Sequence, residues 1–351
     1  MRCYCVMEHG RPLVAVDRPV PEPNGSEVLV KVLAAGLCHT DLHLWEGHYD
    51  LGGGKKLTLA ERGIKPPITL SHEVAGEVVA GPAAAAAGLA AGQRVLVHPW
   101  IGCGECAACR RGEEHICIKP GAIGIVRPGG FAEYVLVPSA RYLVPIDGLD
   151  PATAAPLACA GVTTYSALKK FGRRIHEGPV VVIGAGGLGL MAIRVLAALG
   201  GQGAIVVDVD AGKRGAALAA GALVAIDARA ADAAQQLVAA TGGGARAVLD
   251  LVGATPTVTL AMAACARGGH IVICGLMGGD ITVSLPVIPM RPLTLQGSYV
   301  GTVEELRELV ALAKQGSLAS IPVTCRPLAQ ANEALADLHA GKVVGRTILV
   351  P

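Results

Sequence analysis

Six consecutive residues, Cys38-His39-Thr40-Asp41-Leu42-His43, bring a thiol, two imidazoles, a hydroxyl and a carboxylate into one short stretch. Thiolate and imidazole are donors that zinc prefers, while hydroxyl and imidazole pass protons. Cys38 is therefore read as a ligand of a catalytic zinc, with Thr40 and His43 carrying a proton away from it. A lone cysteine is more often a small buried hydrophobe than a ligand, so the reading requires further donors elsewhere. His72, followed by Glu73, and Cys159 supply them. A catalytic zinc takes three protein ligands and keeps one position open, and Cys38, His72 and Cys159 complete that set. Glu73 then supports the site or visits the metal as a transient extra ligand. Asp41 is placed to accept the other ring proton of a ligating histidine and so to fix its tautomer.

A second cluster has a different character. Cys103, Cys106, Cys109 and Cys117 are separated by two, two and seven residues. Four thiolates at such spacing fit a tetrahedral zinc with no position left for substrate, which makes the site structural. An iron-sulfur centre also uses four thiolates and is the alternative. Cys3, Cys5, Cys265, Cys274 and Cys325 show no partner pattern and are read as packing.

A third motif points to a dinucleotide. Pro179 to Ile183 reads as a buried parallel strand and runs into Gly184-Ala185-Gly186-Gly187-Leu188-Gly189, after which Leu190 to Leu199 has helical periodicity. Strand, G-x-G-x-x-G, then helix lets backbone approach a pyrophosphate at a helix N-terminus. The next strand, Ala204 to Val207, ends at Asp208, where a carboxylate accepts ribose hydroxyls and repels a 2′-phosphate. NAD is the expected cofactor. Asp208 also suits a helix cap, although Asp210 is available for that, and Lys213 or Arg214 either reaches the ribose or is solvated.

The elements that must position these groups fall into two kinds. Short strands at Val28 to Leu33, Val74 to Ala80, Arg94 to His98 and Tyr134 to Val137 suggest a barrel-like all-β lobe. Further strands at Val224 to Ile226, Ala247 to Val252 and His270 to Cys274, alternating with helices, give a doubly wound α/β pattern. The Gly-rich segment from Tyr49 to Pro67 reads as a mobile loop, either at the substrate entrance or simply solvated.

Length and composition set the limits. A chain of 351 residues suits two domains. Its net charge of +2 is not focused in any basic run, so neither nucleic acid nor an anionic membrane is the expected partner. With no secretory signal, no spanning apolar stretch and an odd cysteine count, the protein is expected to be cytoplasmic, with its thiols reduced for metal.

Taken together, these residues resemble the zinc-dependent medium-chain alcohol dehydrogenases over essentially the whole chain, including the ending Gly345-Arg346. The resemblance implies a GroES-like catalytic domain of residues 1–155 and 298–351, with its structural zinc lobe at about 98–120, around a Rossmann NAD domain of residues 156–297. It implies two zinc ions per chain and cofactor contacts from His39, Thr163 and Arg346, with a homodimer or homotetramer as the assembly. The implied reaction is reversible oxidation of an alcohol to an aldehyde or ketone. Trp45, Tyr49, Trp100 and Tyr299-Val300 are candidates for the pocket wall or for core packing, and the small Val300 implies tolerance of bulky, aryl or secondary alcohols. Ser71 stands where the family carries glycine, and His39 where many relatives carry arginine. A polyol or sugar dehydrogenase is the alternative on the same scaffold, although such enzymes often replace the third zinc cysteine with a carboxylate. A formaldehyde-type dehydrogenase using a thiol adduct and a non-catalytic NAD-binding redox sensor are the others.

Overall fold

The strand Val28–Gly36 organises the first lobe, and its near-continuous run of Val, Leu and Ala is buried except around Lys31 and Leu33. Burial on both faces calls for such a sequence. In the computed structural model, which describes all 351 residues, this strand pairs antiparallel with Glu73–Ala80 on one side. Its other side is shared: Tyr134–Val137 takes the first half and Arg346–Val350 the end, with Gly36 opposite Ile348. Arg94–Val97, Leu143–Pro145 and Val323–Pro327 extend the sheet, and a three-stranded sheet of Val14–Asp17, Arg2–Val6 and Ile68–Thr69 packs nearby. The strand begins the site at its carboxyl end, since Cys38 follows two residues after Gly36.

The second lobe is a six-stranded parallel sheet in the order Val224–Asp227, Ala204–Asp208, Val180–Ile183, Ala245–Asp250, Cys265–Ile273, Thr294–Gly297. This is the doubly wound 3-2-1-4-5-6 order, which opens a ligand crevice at the carboxyl ends of the strands where the order reverses. The last strand carries no apolar run to announce it in the sequence. It is an edge strand with all four residues exposed. One buried cluster of 44 residues runs from Cys38, Trp100 and Cys159 through Val180 and Leu190, so the two lobes share a core.

Two stretches differ from expectation. Tyr49 to Pro67 is folded: His48–Asp50 and Lys56–Thr58 form a hairpin, followed by the turn Ala60–Arg62. Gly52, Gly53 and Gly54 all have positive φ and make its tight tip, while Leu59 and Ile64 anchor its base at 0% and 5% exposure. The glycines thus serve a turn, not a free chain. The tip reaches the other lobe, where a Cβ at Gly52 would lie 2.6 Å from the Gly279 carbonyl carbon.

Ser71 adopts φ +72°, which explains why glycine suits this position. Its fully buried hydroxyl donates to the Gly36 carbonyl at 2.8 Å. A left-handed residue with a Cβ costs about 1–2 kcal/mol, and a net hydrogen bond returns about 1 kcal/mol. Ser71→Gly is therefore expected to stay within about 1 kcal/mol of the parent, since relief of strain offsets the lost bond. Ser71→Ala, which keeps the strain and loses the hydroxyl's bond to the Gly36 carbonyl, is expected to cost about 1–1.5 kcal/mol. Thermal melts of the two variants check the order.

Candidate active site and metal centres

Cys38 caps the helix His39–Glu46, which ends at Gly47 with φ +86°. The third helical residue is Asp41, and its fully buried carboxylate accepts from Cys38 N at 2.8 Å and from Ser71 N at 2.9 Å. This corrects the expected role of Asp41. Its nearest oxygen is 3.7 Å from His72 Nδ1, too far for a hydrogen bond. Both oxygens instead tie down the backbone of the two segments that carry Cys38 and His72. Burial pushes this carboxyl up to about 6, against the His72 charge and the two amide bonds.

Cys38, His72, Glu73 and Cys159 place their ligand atoms within 4.8 Å of one another, all buried. The Cys38 and Cys159 sulfurs are 3.9 Å apart. Two sulfurs bound tetrahedrally at 2.3 Å to one zinc would be separated by about 3.8 Å. Both nitrogens of the fully buried His72 ring lack any hydrogen-bond partner, a loss of about 1–3 kcal/mol that a metal ion would recover. The donor set therefore fits zinc. Cys38 is the thiol held toward thiolate, first by its bond with Cys159 and then by the Arg346 and His72 charges. The same bond and burial push Cys159 up. Burial lowers the affinity of His72 for a proton, but Asp41 and Cys38 outweigh it and raise the ring to about 9.

Glu73 is divided between two tasks. Its Oε1 accepts from the buried Arg346 guanidinium at 2.7 Å, while Oε2 has no partner. Burial raises its carboxyl to about 7, opposed by Arg346. Gly36 makes room for this side chain, because a Cβ there would overlap Glu73.

The four-cysteine arm has the same sulfur spacing. Cys106 lies 3.5 Å from Cys109 and 3.9 Å from Cys117, with Cys103 and Cys109 also 3.9 Å apart. These edges match a tetrathiolate zinc of about 3.8 Å and exceed any disulfide. Backbone amides of Cys103 and Lys119 point at Cys117 at 3.2 and 3.3 Å, as they do toward charged sulfur.

The cofactor groove lies beside the first cluster. Gly184 turns at φ +99°, Gly186 opens onto free space at the N-terminus of helix Gly187–Ala198, and a Cβ at Gly189 would overlap Gly184. These are the tight turn, the open approach and the close strand–helix contact that a pyrophosphate site needs. Leu188 follows on the same first turn, only partly buried. Asp208 accepts from Ala185 N at 2.7 Å and from Asp210 N at 2.8 Å, which leaves carboxylate lone pairs for ribose hydroxyls. Asp210 caps the next helix through Lys213 N, and Arg214 is committed to Asp227. Thr163 is buried with its hydroxyl unpartnered. Burial lowers His39, opposed by the Cys38 charge. Arg346 also borders the glycine loop, with its Nη1 3.1 Å from where a Gly187 Cβ would sit.

The pocket candidates separate. Trp100 is 5.3 Å from the His72 ring and Tyr49 is 4.7 Å from the His43 ring. Trp45 turns away: its indole N–H donates to Arg11 O at 2.7 Å and its ring meets His339. On a helix it lies about 200° round from His43. Val300 is packed in the core at 6% exposure with φ +41°, and it is Tyr299 that faces the cleft, 5.8 Å from Trp100. The Cys38 sulfur is 3.9 Å from Thr40 Oγ1. His43 Nδ1 is 3.6 Å from Glu46, a partner recoverable in the sequence from the i, i+3 spacing.

The chain matches the profile described as alcohol dehydrogenase GroES-like domain over residues 24–148 and that of zinc-binding dehydrogenase over residues 187–315. It is 39% identical to an NAD-dependent alcohol dehydrogenase of Sulfurisphaera tokodaii, with all of both chains covered. The crystal structure of the alcohol dehydrogenase from Aeropyrum pernix superposes with a TM-score of 0.89 at 33% identity over both full chains. A D-arabinose 1-dehydrogenase (NADP(+)) of Saccharolobus solfataricus is 33% identical over 97% of this chain and 95% of that one. End-to-end identity at this level, on a fold with the same two lobes, makes the chain a member of the zinc-dependent medium-chain alcohol dehydrogenase family.

Proposed function

We propose that the protein oxidises primary or secondary alcohols to aldehydes or ketones, reversibly, with NAD. Residues 1–155 and 298–351 form the metal-holding lobe and 156–297 the cofactor lobe. The observation that carries the reading is the convergence of Cys38, His72 and Cys159 on one buried point, with both His72 nitrogens unpartnered, beside the glycine-loop groove. A zinc ion held there supplies a Lewis acid toward the substrate oxygen, and NAD supplies the hydride acceptor.

The chain's own groups do the rest. Trp100 covers the His72 side of the cluster and keeps water from it. Thr40 Oγ1, next to Cys38, takes the substrate's hydroxyl proton into its own hydrogen bonds. His43, which the ribose of a bound cofactor would link to Thr40, accepts a proton at a ring nitrogen, and Glu46, 3.6 Å from Nδ1, steadies the charged ring before the proton leaves for solvent. Burial holds His43 below its ordinary value while Glu46 opposes, so the ring is neutral and ready to accept at pH 7. Asp208 receives the ribose, and its negative charge favours NAD over NADP. That carboxylate, with Cys159 in the ligand set, argues against the NADP-linked sugar reading that the arabinose relative raises.

All eleven cysteines are free, which suits the reducing cytoplasm as the site of action, and no helix is long and apolar enough to cross a membrane. The exposed edge strand Thr294–Gly297, with Leu285 and Met290 at 81% and 66% exposure nearby, supports a homodimer or homotetramer.

Two expected outcomes test the reading. The purified protein carries two zinc ions per chain by elemental analysis and reduces NAD with alcohols. Cys38→Ser retains one zinc and loses at least about 10³-fold in turnover, the worth of several kcal/mol of Lewis-acid stabilisation. Normal turnover in this variant would rule out the ligand assignment. For the relay, kcat/KM for oxidation is expected to rise with pH through a midpoint below 6.5, as His43 loses its proton, and then level off. His43→Gln lowers the plateau by about 10²-fold and removes that limb. An unchanged pH profile would exclude His43 from proton transfer.

A further inference from the structure

The chain has only two Trp, six Tyr and two Phe in 351 residues, yet three of these rings stand in contacts that begin at His43 and His72. From the buried His72 the wall runs outward through Trp100 to Tyr299, in contacts of 5.3 and 5.8 Å. On the other side Tyr49 packs against His43 at 4.7 Å. Tyr299 is 45% exposed although flanked by these groups, so its ring borders open space. Arg62 stands over the Tyr49 side. Its guanidinium carbon is 5.7 Å from the centre of the Tyr49 ring. Burial raises the phenol of Tyr49 to about 12, and the Arg62 charge opposes that rise.

Arg62 is held in place by the fold. It ends the short turn Ala60–Arg62, between the anchors Leu59 and Ile64, which are 0% and 5% exposed, and is followed by Gly63 at φ +73°. Its charge is uncommitted, since no carboxylate lies within 4.0 Å. The acids nearby are taken: Glu61 accepts from Thr58 at 2.7 Å, Asp50 from Gly52 N at 2.8 Å, and Glu46 faces His43. An unpaired arginine on an open surface is merely solvated. This one stands over the Tyr49 ring, which packs against His43 on the helix that Cys38 caps.

We propose that Arg62 is a specificity-determining residue that selects aromatic alcohols and aldehydes carrying a carboxylate at the end remote from the reacting oxygen. With that oxygen at the cluster, the aryl ring lies among Trp100, Tyr299 and Tyr49, whose faces and edges suit a flat ring. The carboxylate then meets the guanidinium, whose planar fork matches its two oxygens. The carboxylate is a spectator in the bond changes: the carbinol C–H gives its hydride to NAD, the hydroxyl gives up its proton, and a C=O bond forms. The inference rests on the alcohol dehydrogenase reading and adds the substrate class to it.

The test compares para-(hydroxymethyl)benzoate with benzyl alcohol as substrates for the zinc-loaded full-length protein and NAD. The parent is expected to favour the carboxylate by about tenfold in kcat/KM, and Arg62→Ala to lower that ratio by about tenfold, mainly through KM, as lost uniform binding does. Arg62→Lys restores part of the ratio, because charge returns without the fork. Raising the ionic strength shrinks the parent's preference and leaves the alanine variant's ratio unmoved. Turnover of benzyl alcohol with the same substrate ratio in parent and Arg62→Ala overturns this inference alone. A protein that reduces NAD with other alcohols but with neither of these overturns this inference alone, and one that reduces NAD with no primary or secondary alcohol overturns the dehydrogenase reading and this inference with it.

Discussion

The site depends on one buried carboxylate. Asp41 accepts from the backbone of Cys38 and of Ser71, which lie 33 residues apart in sequence and carry or adjoin two of the three converging donors. Burying a carboxylate is expensive unless its oxygens are used, and here burial has already pushed it up to about 6. Without Asp41, the helix that begins at His39 would lose its cap, and the left-handed turn at Ser71 would lose an amide partner. The distance between Cys38 and His72 is thus set by backbone hydrogen bonds before any metal arrives.

The rest of the scaffold keeps that arrangement in register with the cofactor groove. Strand Val28–Gly36 ends opposite both Glu73 and Ile348, so a residue at the start of the last strand is brought against a residue beside the metal cluster. The resulting Arg346–Glu73 pair is almost fully buried on both sides. Such a pair earns little stability by itself. Its value lies in position: one guanidinium touches the metal-side carboxylate and borders the glycine loop of the other lobe.

How far the sequence revealed this depended on whether the chemistry was local. The four-cysteine arm, the glycine loop and the run from Cys38 to His43 each declare themselves by spacing within a few residues, and the strands around them by apolar runs. The misreadings were matters of direction. Trp45 is two residues from His43, but helical geometry turns it to Arg11 and His339. Glycines 52 to 54 look like slack and are the tip of a hairpin docked on Gly279. The spacing marks Asp41 as a support, yet its choice of backbone amides over the His72 ring is a difference of about an ångström, which no spacing rule resolves. Thr294–Gly297 leaves no apolar signature in the sequence because an edge strand needs no apolar face.

The two metal centres differ in a way that follows from what stands next to them. The arm of Cys103, Cys106, Cys109 and Cys117 has four sulfurs at mutual tetrahedral spacing, and backbone amides occupy its surroundings. Such a shell has no use for a further ligand. Around Cys38, His72 and Cys159 the fourth donor is Glu73, which is not equivalent to a sulfur because Arg346 already holds one of its oxygens. A carboxylate restrained from behind is a weaker competitor for a metal than a free one, since moving forward breaks a buried ion pair. Were Cys38, His72 and Cys159 to hold a metal, the restraint that would keep Glu73 from it comes from a side chain that begins the last strand of the chain, more than 270 residues away.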